Sequence, residues 1–130
     1  MKSIGAQGSL VSTADESFAF ARALFGGRLF ETLDLMLSGW RRFGFPRDSA
    51  AMRAPSWPID YTLGVMRFRL PRLLNAMQPM PTLYGHTGSS GSWLFHAPER
   101  GLYLAGTVDE VSSAAVPYRL VPALLRRLTP

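Results

Sequence analysis

Two turn sequences divide residues 83–108 into three short stretches, and this division constrains the fold more than any other feature of the chain. The first turn, GSSG at 88–91, and the second, PERG at 98–101, carry the glycine, serine and proline residues typical of chain reversals. The stretches around them are apolar, aromatic and too short for helices. Since short connections join antiparallel neighbours, we predict a meander of three to four strands. Three of its strands are Leu83–Thr87, Ser92–His96 and Leu102–Val108.

Helical patterns flank the meander. The sequence STADE at 12–16 is typical of a helix start, because a Ser or Thr hydroxyl caps the amide three residues on and acidic side chains suit the positive helix end. The glycine pair at 26–27 ends this helix. A shorter pattern spans Glu31–Leu37, and the last helix spans Ser112–Leu128. The expected apolar stripes are Phe18, Ala21, Leu24 and Phe25 on the first helix, Leu33, Met36 and Leu37 on the second, and Leu120, Leu124 and Leu128 on the last.

The segment between the first helices and the meander is less regular. Glycine and proline are frequent from Ser38 to Pro58, which indicates a surface excursion. Ile59–Leu70 is rich in β-forming residues and predicts one strand, and Pro71–Pro81 is a connection. Pro122 removes an amide inside the last helix, so we expect a kink there. The whole chain is therefore predicted to be an α+β domain, an antiparallel sheet flanked by helices.

Composition narrows the functional classes. The 130 residues suit a single domain, 1–130, and contain no cysteine, which excludes disulfides, thiolate metal sites and cysteine nucleophiles. The formal charge is +5, but thirteen of the fourteen basic residues are arginines scattered along the chain, so we expect no nucleic-acid partner. No apolar stretch has the length of a signal peptide or a bilayer span, so we expect no membrane partner and a cytoplasmic location. His86 and His96 alone make a poor metal site, and we expect no cofactor.

Five segments carry a resemblance to a known family. They are GSLVSTAD at 8–15, YTLGV at 61–65, YGHTG at 84–88, GSWLF at 91–95 and PERGL at 98–102. Together they resemble the C-terminal segment of the serine β-lactamase and penicillin-binding-protein-like family, and they are most similar to its class C branch with the related esterases and D-amino-acid peptidases. The resemblance runs with gaps from Gly8 to Leu128 and implies an incomplete β-lactamase-like fold.

The resemblance implies a serine hydrolase that hydrolyses an ester, amide or lactam through an acyl-enzyme, without a cofactor. In the family, the Lys/His-Thr-Gly strand lines the catalytic cleft, and the backbone amide after the glycine helps to form the oxyanion hole. Carried over to this chain, that amide belongs to Ser89, the substrate-binding residues are His86, Thr87 and Gly88, and His86 and Thr87 face the substrate or the general acid–base group. Because Gly88 has no Cβ, a substrate can approach the strand closely.

Two of the family's catalytic motifs are absent from the chain. Ser-x-x-Lys supplies the nucleophile and the lysine that assists it, but the only lysine is Lys2, and no serine can lie three residues before it. Tyr-x-Asn is absent too, because no tyrosine is followed two places on by asparagine. The family carries both motifs N-terminal to the matched segment. We therefore expect a C-terminal portion that is inactive alone, unless a complementing chain supplies the nucleophile.

Two residues depart from the family pattern and bear on the substrate. His86 stands where many members have lysine, and imidazole is not a fixed cation at neutral pH. Asp109 stands where relatives often have asparagine, and its carboxylate repels an anionic substrate. Both departures favour esters or amides over β-lactams. A Ser12, His86 and Asp109 triad can be drawn, but the spacing does not support it.

The alternative hypothesis is a non-catalytic binding module. A sheet that lacks the family's N-terminal strands has an open edge, and open edges pair with other strands. We then expect a homo-oligomer or a complex with a complementing chain. Among the aromatic residues, Trp40 and Trp57 are candidates for a cleft, whereas Trp93 is expected to be buried. His96 is expected to be structural, its ring directed away from those of Trp93 and Phe95.

Overall fold

The computed structural model describes residues 10–42, 59–69, 80–88, 91–108 and 117–128. The elements are α1 (Ala14–Phe25), α2 (Leu33–Met36), β1 (Arg41–Arg42), β2 (Ile59–Tyr61), β3 (Met66–Phe68), β4 (Leu83–Thr87), β5 (Ser92–Ala97), a 3-10 turn (Pro98–Arg100), β6 (Leu102–Thr107) and α3 (Pro117–Arg127). The strands form one antiparallel sheet in the order of the chain, β1 to β6. The α+β class is confirmed, and the described residues contain six strands where three to four were predicted.

The prediction of a single strand over residues 59–70 is wrong, because the segment folds back on itself. β2 and β3 pair antiparallel, with Asp60 opposite Arg67. The turn between them is closed by the Thr62 amide, which donates to the Val65 carbonyl over 3.0 Å. Gly64 supplies the residue with φ of +76° that this reversal needs. A β-rich composition favoured a strand on either side of this glycine but did not distinguish one strand from a hairpin.

The predicted meander is present, and its two turns lie where their residues indicated. β4 pairs with β5, which places His86 opposite Leu94. The Gly88 amide donates to the Ser92 carbonyl over 2.7 Å, and Gly91 has φ of +83°. After the 3-10 turn, Gly101 adopts φ of +61° and leads into β6. Both turns have glycine in the left-handed region, which explains why they could be predicted from the sequence.

One face of the sheet packs against α3 and forms the core. Phe95 meets Phe68 edge to face, with ring centroids 5.2 Å apart. The buried cluster consists of Ile59, Phe68, Met80, Leu83, Trp93, Phe95, Ala97, Val121 and Leu125. Burial of a large apolar side chain stabilises a fold by roughly 1.5–3 kcal/mol, so this cluster is the main source of stability among the described residues.

The apolar stripe predicted for the last helix is correct only at Leu124, which packs against the core cluster. Leu120 and Leu128 are 36% and 55% exposed, whereas Val121 and Leu125 are fully buried. On a helix of 3.6 residues per turn, the line through Leu120 and Leu128 lies next to the line through Val121 and Leu125. The second line, which contains the β-branched valine, faces the core. The shorter pattern over Glu31–Leu37 forms only the four-residue α2. No helix in the described ranges is long and apolar enough to cross a bilayer.

The opposite face of the sheet carries α1, which begins and ends as predicted. Thr13 caps the helix in a full capping box with Glu16. At the other end, Phe25 stacks on His96 with ring centroids 5.1 Å apart, and His96 stacks in turn on Tyr103 at 4.3 Å. This aromatic stack fixes the C-terminal half of α1 on β5 and β6.

Candidate functional site

A cavity of about 350 Å³ opens where the end of β4 meets the start of α1. His86 and Gly88 line it beside Trp93. Six of its lining residues carry hydroxyl groups: Ser12, Thr13, Ser17, Thr87, Ser92 and Thr107. The sheet supplies most of this wall because β4, β5 and β6 all reach the same end of the meander. The His-Thr-Gly strand and the Ser-Thr helix start, which are distant in sequence, therefore share one cavity.

His86 is oriented by contacts at both ring nitrogens. Its Nδ1 lies 2.7 Å from the Thr87 carbonyl oxygen, and its Nε2 lies 3.3 Å from the Tyr61 hydroxyl. A carbonyl only accepts hydrogen bonds, so Nδ1 must carry the proton. In the neutral ring Nε2 is then the acceptor, and the Tyr61 hydroxyl donates to it. The pair therefore keeps a basic nitrogen and a phenol in contact.

Trp93 forms a buried part of the cavity wall. Its indole ring packs against Gly106, where a Cβ would come 2.5 Å from Cζ2 of Trp93. The close approach explains the glycine in the middle of β6. Trp93 is 8% exposed, as the sequence predicted, and its Nε1 has no hydrogen-bond partner among the described residues. A buried donor of this kind is costly unless an acceptor reaches it.

The hydroxyl of Ser12 belongs to the helix start rather than to a catalytic triad. Its Oγ donates to Oε2 of Glu16 over 3.2 Å. The backbone amide of Thr13 is the main cause of a lowered pKa at Glu16, with the Thr13 and Ser12 hydroxyls adding to the effect. Although Ser12 and His86 line the same cavity, no hydrogen bond joins them within the described parts of the chain. Asp109, the third member considered, lies outside the described residues.

The oxyanion-hole amide stays a prediction. Ser89 lies outside the described residues, as do Ser90 and Trp57. Thr87 and Gly88, the residues just before it, line the cavity, and their contact with a substrate stays a prediction as well. Trp40 lies elsewhere, with its ring 5.8 Å from that of Tyr84.

His96 has a structural position. It lies half-buried between Phe25 and Tyr103, with Nδ1 3.1 Å from the Leu102 carbonyl oxygen. Burial lowers the pKa of His96, and the hydrogen bond to the Leu102 carbonyl opposes that effect only partly. In the described ranges, no group of three or more acidic or histidine side chains is arranged to hold a metal ion.

Sequence reasoning missed a cluster of charges on the outer strands. Asp60 is 4% exposed, and three arginines approach its carboxylate: Arg42, Arg67 and Arg69. The contributing strands become neighbours only when the β2–β3 hairpin and β1 form. An acidic residue inside a β-rich, arginine-containing stretch was the available signal, since a carboxylate buried in a sheet requires a cationic partner.

Comparison with protein-family models, with curated proteins and with solved structures found no match to this chain. The resemblance to the serine β-lactamase family therefore stays an expectation from the five sequence segments.

Proposed function

We propose that this chain forms the substrate-binding wall of a β-lactamase-related serine hydrolase whose nucleophile lies on another stretch of polypeptide. One observation carries the proposal: the His86-Thr87-Gly88 strand end and the Ser12-Thr13 helix start line a single cavity. The reaction class is acyl-enzyme hydrolysis of a small ester, amide or lactam. The chain alone is inactive, because it lacks Ser-x-x-Lys.

The polar groups around the cavity suit an uncharged acyl substrate. The hydroxyl residues that line the cavity provide neutral donors and acceptors, while the Nε2 lone pair of His86 is engaged by the Tyr61 hydroxyl. No lysine or arginine lines the cavity among the described residues, so nothing there holds a carboxylate by a fixed charge. Leu94, a partly buried residue of the cavity wall, adds an apolar surface for the acyl group. These features favour neutral esters and amides over anionic lactams.

The chemistry divides between this chain and the segment that supplies the serine. The serine oxygen bonds to the carbonyl carbon, the alcohol or amine leaves with a proton, and water then releases the acid from the acyl-enzyme. The developing oxyanion accepts a hydrogen bond from the Ser89 amide in the role that the resemblance implies. One such donor contributes about 3–4 kcal/mol to transition-state stabilisation. His86, held by the Thr87 carbonyl and the Tyr61 hydroxyl, helps to position the substrate.

Binding to the intact chain tests the cavity directly. Phenylacetamide, an unreactive neutral amide, is titrated into the ¹⁵N-labelled protein, and we expect saturable shifts at the amides of Thr87, Gly88 and Thr107. Thr87→Val removes a hydroxyl from the cavity wall and should weaken binding about three- to tenfold, the loss of one neutral hydrogen bond. Thr82→Val makes the same chemical change outside the cavity and should leave the affinity unchanged. Shifts elsewhere, or an equal response of both variants, would contradict the proposal.

Two further tests address the missing nucleophile. Any p-nitrophenyl acetate hydrolysis by the chain should be insensitive to Ser12→Ala and to a serine-directed sulfonyl fluoride. Turnover that either treatment abolishes would overturn the assignment of the nucleophile to another segment. The DNA upstream of Met1 should encode Ser-x-x-Lys, in the same frame or in an adjacent one.

A second candidate function is strand-mediated association, and the position of β6 favours it. Among the described residues β6 pairs only with β5, which leaves a six-residue strand at the end of the sheet. Edge strands of this length are templates for a further antiparallel strand. The occupant we propose is β6 of a second copy.

Light scattering over a range of protein concentrations tests this association. We expect the mass to rise toward a dimer, and hydrogen exchange at the β6 amides to slow as the dimer forms. A monomer at every concentration, or a dimer whose β6 amides exchange as fast as in the monomer, would contradict it.

A further inference from the structure

A second cavity, of about 500 Å³, lies between α2, β1 and the β2–β3 hairpin. Leu35 and Leu63, each 63% exposed, lie on its apolar side, together with Tyr61. Its walls are tied together, because the Thr62 hydroxyl donates to the Ser38 carbonyl across the gap. This cavity is distinct from that at His86, although Tyr61 lines the one and contacts the histidine of the other.

The polar side of this cavity is cationic. Arg41 and Arg42 both line it, and Arg42 belongs to the cluster around Asp60. In that cluster three guanidinium groups surround one carboxylate, so the described groups leave a local charge of +2. Arg42 contacts Asp60 through Nε, at 3.2 Å from Oδ1. Its two terminal nitrogens remain as donors on a side chain that is 58% exposed, and these donors match a second anion.

The cluster is held in place before any ligand arrives. Arg67 donates to Asp60 from Nε and Nη2, at 3.2 and 2.9 Å, and its guanidinium lies 4.3 Å from the centre of the Trp40 ring. A cation so placed over an aromatic face is further stabilised. Asp60, fixed by Arg67, in turn holds the Nε of Arg42, whose residue lines the cavity. A preorganised guanidinium loses less conformational entropy on binding.

We propose that this cavity binds a small organic carboxylate, with the carboxylate on Arg42 and Arg41 and the apolar body against Leu35 and Leu63. The proposal goes beyond the hydrolase function above and does not rest on it. The different charge of the two cavities supports carboxylate binding here. Arginines line this cavity, whereas no described lysine or arginine lines the cavity at His86. Charge complementarity selects the anion, and the exposed leucines select a ligand with an apolar part.

The test is a titration of the ¹⁵N-labelled chain with hexanoate. We expect saturable shifts at the amides of Arg42, Tyr61 and Leu63. Arg42→Gln should weaken binding about tenfold, the loss of a charge-assisted hydrogen bond. Because the Arg42 side chain is more than half exposed, this variant should fold, and its spectrum provides the check. Arg28→Gln removes an exposed charge that does not line the cavity and should bind hexanoate as the unaltered chain does.

Two further probes measure the contributions of the carboxylate and of the apolar body of the ligand separately. Hexanol, which has the same body without the charge, and inorganic phosphate, which has the charge without the body, should both bind more weakly than hexanoate. Hexanol binding as tightly would overturn the role of the arginines, and phosphate binding as tightly would overturn that of the leucines. Absence of saturable shifts would overturn the site. Shifts confined to the amides around His86 would also overturn it, while leaving the proposed hydrolase cavity intact.

Discussion

At the scale of single residues, Asp60 makes the most consequential contacts outside the core. A buried carboxylate is stable only when cations compensate its lost hydration. Arg67 supplies the closest contact, 2.9 Å from Oδ2, and its side chain is itself mostly buried. Arg42 and Arg69 approach from more exposed positions, where solvent weakens their interaction. The Asp60–Arg67 pair therefore dominates the cluster and joins β2 to β3.

Replacing Asp60 by asparagine keeps the side-chain volume and removes the charge. We expect Asp60→Asn to destabilise the fold by about 1–3 kcal/mol, because the buried guanidinium of Arg67 loses its counter-ion. Urea denaturation measures the change. Asp34→Asn, an identical substitution at an exposed position of α2, should cost less than about 0.5 kcal/mol. Equal effects of the two substitutions would contradict the buried ion pair.

At the scale of secondary-structure elements, the two N-caps form a natural comparison. The Thr13 hydroxyl accepts from the Glu16 amide, whereas Thr32, the N-cap of α2, makes no side-chain capping bond. We expect Thr13→Ala to cost about 1 kcal/mol of stability and Thr32→Ala much less. Thermal unfolding of both variants measures the difference. A loss of stability from Thr32→Ala that is greater than the loss from Thr13→Ala would contradict the stabilising role of the capping box at α1.

The aromatic stack that anchors α1 is expected to respond to pH. The pKa of His96 is lowered in the folded chain, mainly because burial disfavours the charged ring. The unfolded chain therefore takes up this proton more readily, so stability is complete above about pH 6.5 and falls as the pH drops toward the folded value. We expect the midpoint temperature of thermal unfolding to be lower at pH 5.5 than at pH 7.5.

Substitution assigns this pH dependence to one residue. His96→Phe keeps an aromatic ring between Phe25 and Tyr103 and should flatten the decline. His86→Gln, a change at the exposed histidine, should leave it in place. A decline that survives His96→Phe, or one that disappears in His86→Gln, would contradict the assignment to the stack.

Elements whose causes are local could be predicted from the sequence. The helix start at Thr13 and the turns that contain Gly91 and Gly101 depend on neighbouring residues only. The β2–β3 hairpin was missed because composition favours a strand on both sides of Gly64. The two cavities differ in the same way, since local patterns indicate one and distant pairings form the other. Sequence patterns singled out His86, Thr87 and Gly88 of the first cavity, but the arginine-lined cavity arises from pairings between separate strands.

At the scale of the whole molecule, one apolar cluster joins the sheet to α3. Val121 and Leu125 are buried against the face that carries Phe68 and Phe95. Arg100 adds a polar contact, because its Nη1 donates to the Leu125 carbonyl over 3.2 Å. Helix and sheet therefore depend on each other, and we expect the described elements to unfold together.

Truncation at the buried and exposed rows of α3 tests this coupling. Leu125→Ala should cost about 2–4 kcal/mol, the loss for a buried leucine. Leu128→Ala, at a position 55% exposed, should cost less than about 1 kcal/mol. Urea unfolding is followed by tryptophan fluorescence and by far-ultraviolet circular dichroism. Coincident transitions in both variants are expected, and separate transitions would contradict the single core.

The agreement between strand order and chain order has a consequence for biosynthesis. Each strand pairs with the strand made just before it, so the sheet can assemble in the direction of translation. Among the described elements, the helix that covers Phe95 is made after β6. While α3 is still inside the ribosome, the apolar face of the nascent sheet lacks the cover that this helix provides. That interval is when the growing chain depends most on chaperones and is most prone to aggregate.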